Sequence, residues 1–86
     1  MQQFDFVFHD EAGLHARPAA RLMQLAKQLP CTVTLQKGEK TADMKNLVKM
    51  MGLAICQNDT VRITVEGEGE VDAVAQIRSI LEQVNA

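Results

Sequence analysis

Cys31-Thr32-Val33-Thr34-Leu35-Gln36-Lys37-Gly38-Glu39-Lys40-Thr41-Ala42 is the stretch on which the architecture turns. Cys31, Val33 and Leu35 alternate with Thr32, Thr34 and Gln36, the period of two expected of a strand with one buried face. Lys37, Gly38 and Glu39 then reverse the chain, and a short further strand is expected near Lys40 to Ala42. A turn this tight joins antiparallel neighbours, because a parallel pair needs a crossover of a dozen or more residues. Helical and strand patterns intermix around this hairpin, which favours an α+β fold with helices layered on one sheet face and a polar open face.

Working outward, Phe4, Phe6 and Phe8 alternate with Asp5, Val7 and His9 and mark a first strand whose aromatic side points inward. Asp10 to Gly13 reads as a loop. From Ala16, the spacing of Ala19, Leu22, Met23, Ala26 and Leu29 is that of an amphipathic helix, which Pro30 closes. Pro18 falls in its first turn, where a missing N–H costs nothing. Asn46 is placed to cap a short helix through Leu47, Val48, Met50 and Met51 that ends at Gly52. Val61, Ile63 and Val65 form a fourth strand. The cluster Gly67 to Glu70 opens a last helix with the stripe Val71, Val74, Ile77, Leu81 and Val84. The order is strand, helix, strand, strand, helix, strand, helix, with neither a long linker nor an internal repeat.

The chain has 86 residues, enough for one domain, 1–86, and too few for two. A domain of this size buries only about 60 to 65% of its unfolded surface, so chemistry is expected on the outside. Hydrophobic residues at 47% and charged ones at 23% are ordinary globular usage, which sets disorder aside. There is neither an apolar run of about 18 residues nor the basic and apolar start of a secretory signal, so the expected location is the cytoplasm, without membrane insertion. Cys31 and Cys56 lack C-x-x-C spacing and read as reduced core thiols, with a Cys31–Cys56 disulfide as the alternative.

The net charge of −2 conceals an asymmetry. Residues 16–50 hold seven cations (Arg17, Arg21, Lys27, Lys37, Lys40, Lys45, Lys49) against Glu39 and Asp43, a net of +5. The rest holds two cations against nine anions, a net of −7. The basic middle favours acidic partners, phosphate or nucleic acid. Against nucleic acid, the chain has no Trp or Tyr, and its three Phe share the inward face of one strand, so no stacking platform is offered.

The chemically informative residues are Gly13-Leu14-His15-Ala16-Arg17-Pro18-Ala19-Ala20. A helix start presents unpaired N–H groups and roughly half a positive charge, and Arg17 adds a full one. Both disfavour the imidazolium form of His15 and leave the neutral, nucleophilic ring. A phosphoryl group on that ring would carry close to two negative charges, which the N–H groups of Ala16 and Arg17 and the guanidinium would then stabilise. No metal or cofactor is required. His9, Asp10, Glu11 and His15 straddle a strand end and a loop without ligand spacing, so a metal cluster is not expected. Gly67-Glu68-Gly69 lacks the remaining glycine of a dinucleotide loop and reads as a turn.

Gly13 to Ala20 resembles the phosphorylation-site signature of HPr, the histidine-containing phosphocarrier family of the bacterial phosphoenolpyruvate-dependent sugar phosphotransferase system. Length, element order and the segment Lys45 to Gly52 agree with it over the whole chain. The resemblance implies an open-faced β-sandwich, a four-stranded antiparallel sheet covered on one face by three helices (βαββαβα). It also implies a monomeric carrier rather than an enzyme, phosphorylated on Nδ1 of His15 by enzyme I, with Arg17 stabilising the phosphate and an enzyme IIA domain receiving it. It further implies a partner surface on Ala20, Arg21, Gln24, Lys27, Lys45, Leu47, Val48, Lys49 and Met51, an apolar patch with a basic rim. One departure stands out: Asn46 occupies the place of the family's regulatory serine, so a serine-kinase switch is expected to be absent. An HPr-like paralogue serving a regulatory relay, such as a nitrogen or dihydroxyacetone kinase branch, would share the His15 motif.

Overall fold

The computed structural model describes all 86 residues. The alternating segments become β1 (Gln2–Val7), β2 (Thr32–Lys37), β3 (Lys40–Asp43) and β4 (Thr60–Glu66), and the amphipathic ones α1 (Ala16–Gln28), α2 (Leu47–Gly52) and α3 (Glu70–Asn85). This is the expected α+β open-faced sandwich in the order βαββαβα. The strands lie in the order β1-β4-β2-β3, and every neighbouring pair is antiparallel. It follows that β1 and β2, joined through α1, run parallel to each other with β4 inserted between them.

Register carries the period of two across the sheet. Phe4 faces Ile63 and Phe6 faces Val61 between β1 and β4, while Val33 faces Val65 and Leu35 faces Ile63 between β4 and β2. One face is therefore apolar at its centre, with Gln2, Lys37 and Lys40 only at its margins. The other aligns Asp5 with Arg62 and Thr34 with Thr64, giving the polar open face. The apolar face packs under Ala19, Leu22 and Ala26 of α1 and Ala73, Ile77 and Leu81 of α3, all inaccessible to solvent. No polar or charged residue is buried among them. Phe8 lies one residue past β1, fully buried, with its ring edge-on to Phe6 at 5.1 Å between centroids.

Two expectations need correction. Val71 belongs off the α3 stripe: it is exposed, and Ala73 is buried instead. At about 100° per residue, Val71 lies roughly 120° round the helix from Ile77 whereas Ala73 lies only about 40° away. Cys56 is not a core thiol. Buried Cys31 and exposed Cys56 are both free, because Ile55 takes the inward position and turns its neighbour out. No helix is long and apolar enough to cross a membrane.

Candidate functional site

The loop leading into α1 is built from backbone bonds. Asp10 makes a turn in which its carboxylate accepts the Ala12 N–H (2.8 Å) and its carbonyl accepts that of Gly13 (2.8 Å). Gly13 then adopts φ +60° hard against Ile55 and Cys56, where a Cβ would overlap the Ile55 carbonyl. Only glycine fits both the dihedral and the space. Leu14, buried, donates its N–H to the same Ile55 carbonyl at 3.1 Å. These two contacts fix the residue that follows.

That residue is His15, the N-cap of α1, with extended backbone and an exposed side chain. Its carbonyl accepts the Ala19 N–H at 3.1 Å, the first bond of the helix, yet its ring makes no capping bond. A cap side chain ordinarily accepts from the second or third helical N–H. Here the third helical residue is Pro18, which has no N–H to give. The ring makes no bond to the second helical N–H, that of Arg17, either, so it stays free for other chemistry, and the N–H groups of Ala16 and Arg17 have no partner in the fold. They leave the positive pole of α1 open to an anion.

His15, Arg17, Pro18 and Arg21 line an open cleft of about 190 Å³ together with Asp10 and, from the last turn of α3, Gln83, Val84 and Ala86. The structure places His15 and Arg17 in this cleft and adds Asp10 and the α3 end, which sequence reasoning did not include. A larger depression of about 270 Å³ on the open sheet face is walled by Asp5, Gln36, Gly38, Thr60 and Arg62. It holds no histidine or cysteine, and its one cation is committed to Asp5 at 3.0 Å.

The elements that carry the expected partner residues, α1 and α2, lie against each other. Gln24, Lys27, Lys45, Val48, Lys49 and Met51 are exposed, and Ala20 and Leu47 are half-buried. Val48, at 81% exposure, is the most exposed large apolar side chain of the chain. Arg17, Arg21, Lys27, Lys45 and Lys49 make no ion pair. Asn46 caps α2 as expected, its side chain accepting the Lys49 N–H at 3.0 Å. No group of three or more His, Cys, Asp or Glu is placed to hold a metal ion.

The supports of the site came from outside the motif. Ala54, at φ +52°, turns the chain after α2, and its carbonyl accepts Lys37 Nζ at 2.6 Å. Asp59 closes the same loop, pairing with Lys37 at 2.9 Å and accepting the Cys56 N–H at 2.7 Å. That backbone bond and then the Lys37 ammonium hold its carboxyl below the usual carboxylate value. The result is a firm platform for Ile55, and hence for Gly13 and Leu14.

Residues 2–83 match the PTS-HPr family, described as the PTS HPr component phosphorylation site. Among solved structures, the chain is similar to the histidine-containing phosphocarrier protein of Mycoplasma (26% identity, TM-score 0.92, covering 98% of this chain and 97% of that one). It is similar to the phosphocarrier protein HPr of Bacillus anthracis (29% identity, TM-score 0.84, 93% and 95% covered). It is also similar to Crh of Bacillus subtilis, a catabolite repression protein seen as a swapped dimer (28% identity, TM-score 0.75, 100% and 99% covered).

Proposed function

This chain belongs to the HPr family of phosphocarriers, and we propose that it accepts a phosphoryl group on His15 from enzyme I charged by phosphoenolpyruvate and passes it to an enzyme IIA domain for sugar uptake. The observation that carries this reading is the free imidazole at the start of α1, beside two unpartnered N–H groups and an unpaired Arg17. In the step itself the ring nitrogen lone pair forms a bond to phosphorus as the bond from phosphorus to the donor breaks. The three phosphoryl oxygens then face the α1 pole and the guanidinium.

Transfer onward needs the reverse compromise. Exposed charge-assisted contacts of roughly 0.5 to 1 kcal/mol each hold the group without trapping it. Asp10, a carboxylate in the same cleft, opposes a dianion there and favours release. The docking surface is the apolar patch of Leu47, Val48 and Met51 with its rim of Arg21, Lys27, Lys45 and Lys49, joined by Ala20 and Gln24, a surface suited to acidic protein partners in the cytoplasm. The chain works as a monomer.

Incubation with enzyme I and labelled phosphoenolpyruvate should place acid-labile phosphate on His15, and His15→Ala should abolish it. Transfer that survives in His15→Ala rejects the reading. A second reading, an HPr-like protein of a regulatory relay, rests on the likeness to Crh, while Asn46 in the serine place counts against its serine-dependent form. Loss of growth on phosphotransferase sugars in a deletion strain supports the sugar route; normal growth supports the regulatory one.

A further inference from the structure

Asn85 is the residue whose placement the phosphoryl chemistry leaves unexplained. Its Nδ2 donates to the Val7 carbonyl at 2.8 Å, and its Oδ1 accepts the His9 N–H at 2.8 Å. One side-chain amide thereby makes the pair of bonds that a neighbouring strand would make to an edge strand. The opposite edge is held by backbone: Phe8 donates to the Asp59 carbonyl at 3.0 Å and accepts from Asn58 at 2.6 Å. Gln57 Nε2 satisfies the His9 carbonyl at 3.1 Å. The end of β1 is thus clamped on both sides immediately before the Asp10 turn that delivers His15.

The other end of the clamp matters as much. Asn85 is the last residue of α3, and its neighbours Gln83, Val84 and Ala86 form the wall of the cleft facing His15 and Arg17. No other side-chain hydrogen bond joins α3 to the loop between β1 and α1. Helix ends fray when nothing ties them.

We propose that Asn85 is a positioning residue for phosphoryl acceptance, tying the α3 wall of the cleft to the strand end that carries the His15 loop. The proposal rests on His15 being the acceptor. Without the clamp the wall and the loop move independently and the productive geometry is sampled less often. Both side-chain hydrogen bonds of Asn85 go to the β1 end and neither goes to α1 or α2, which carry the docking face, so the loss falls on kcat.

The test measures His15 phosphorylation by enzyme I, with KM and kcat for the carrier separated, in wild type, Asn85→Ala, Asn85→Asp and Arg78→Ala. Arg78→Ala removes a different α3-to-β1 contact, the guanidinium stacked 4.2 Å over the Phe4 ring, far from the cleft. Asn85→Ala should lower kcat about three- to tenfold at unchanged KM, well below its melting temperature, with faster exchange of the His9 amide. Asn85→Asp keeps the acceptor for His9 but turns an oxygen on the Val7 carbonyl, and its kcat should fall too while it remains folded. Arg78→Ala should lose stability at unchanged kcat. Wild-type kcat in both Asn85 variants, or a kcat loss in Arg78→Ala equal to theirs, overturns the proposal. A wild-type protein that takes no label on His15 instead overturns the reading beneath it.

Discussion

The starts of α1 and α2 are built from the same parts and put to opposite uses. Each follows an aspartate turn: Asp10 binds the N–H of Ala12 and Gly13, and Asp43 binds those of Lys45 and Asn46 in the same pattern. Each cap residue has extended backbone. At α2 the cap side chain closes on the third helical N–H, so Asn46 is spent on stability. At α1 that N–H is absent because Pro18 stands there, and two residues, Gly13 and Leu14, are inserted between turn and cap to lodge against Ile55. The cap side chain is left unused and exposed. A helix start becomes a site when its own sequence withholds the partner its cap would otherwise take.

The comparison can be broken most severely at Gly13. Gly13→Ala should cost about 2 to 4 kcal/mol in a denaturant titration, since it adds both left-handed strain and overlap with backbone that cannot retreat. Gly52, at the end of α2, has open space around it and no positive φ, so Gly52→Ala should change stability far less. Converting α1 toward α2 is the sharper experiment. Pro18→Ala restores the third N–H, and the His15 ring can then cap it. With a cap bond of about 1 kcal/mol, phosphoryl acceptance should slow about fivefold, and the imidazole nitrogen resonances should report the new bond. An unchanged rate and unchanged resonances would show that proline is not what frees the ring.

The converse change, Asn46→Ala, should lower stability by about 1 kcal/mol in thermal melts, while Asn46→Ser, which keeps a capping oxygen, should lose much less. The smallest effect concerns the platform behind α1, for which α2 has no counterpart. Asp59 is held below its ordinary value of 3.8, so its contribution is complete above that pH and disappears as pH falls through the lower folded value. Melts between pH 7 and pH 2.5 should show Asp59→Asn less stable than wild type at neutral pH and converging with it in acid.

Much of this is legible in the sequence alone. The alternation in Phe4 to Phe8, Cys31 to Leu35 and Val61 to Val65 identified the strands because a half-buried strand cannot avoid a period of two. Asn46 is legible as a cap and His15 as the residue at a helix start because both are local, decided within four residues. Residues 53–59 carry no periodic signal, so nothing local tells that Ile55 turns inward and Cys56 outward. Val71 is apolar yet exposed, and Ala73 takes the buried place, because position round the helix rather than hydropathy decides which side chain meets the sheet. Asn85 read only as part of a helix terminus, since nothing nearby in sequence reveals a bond to Val7 and His9.

By itself, then, the sequence determined the elements, their amphipathic faces and the chemistry available at His15, because each of these depends on neighbours within a turn or two. The tertiary structure decided that β4 lies between β1 and β2, that Ile55 backs Gly13, and that the end of α3 closes the cleft beside His15 and Arg17. Those pairings join residues about 25 to 70 positions apart, and what selects them is the burial of one shared apolar face, which no local pattern encodes.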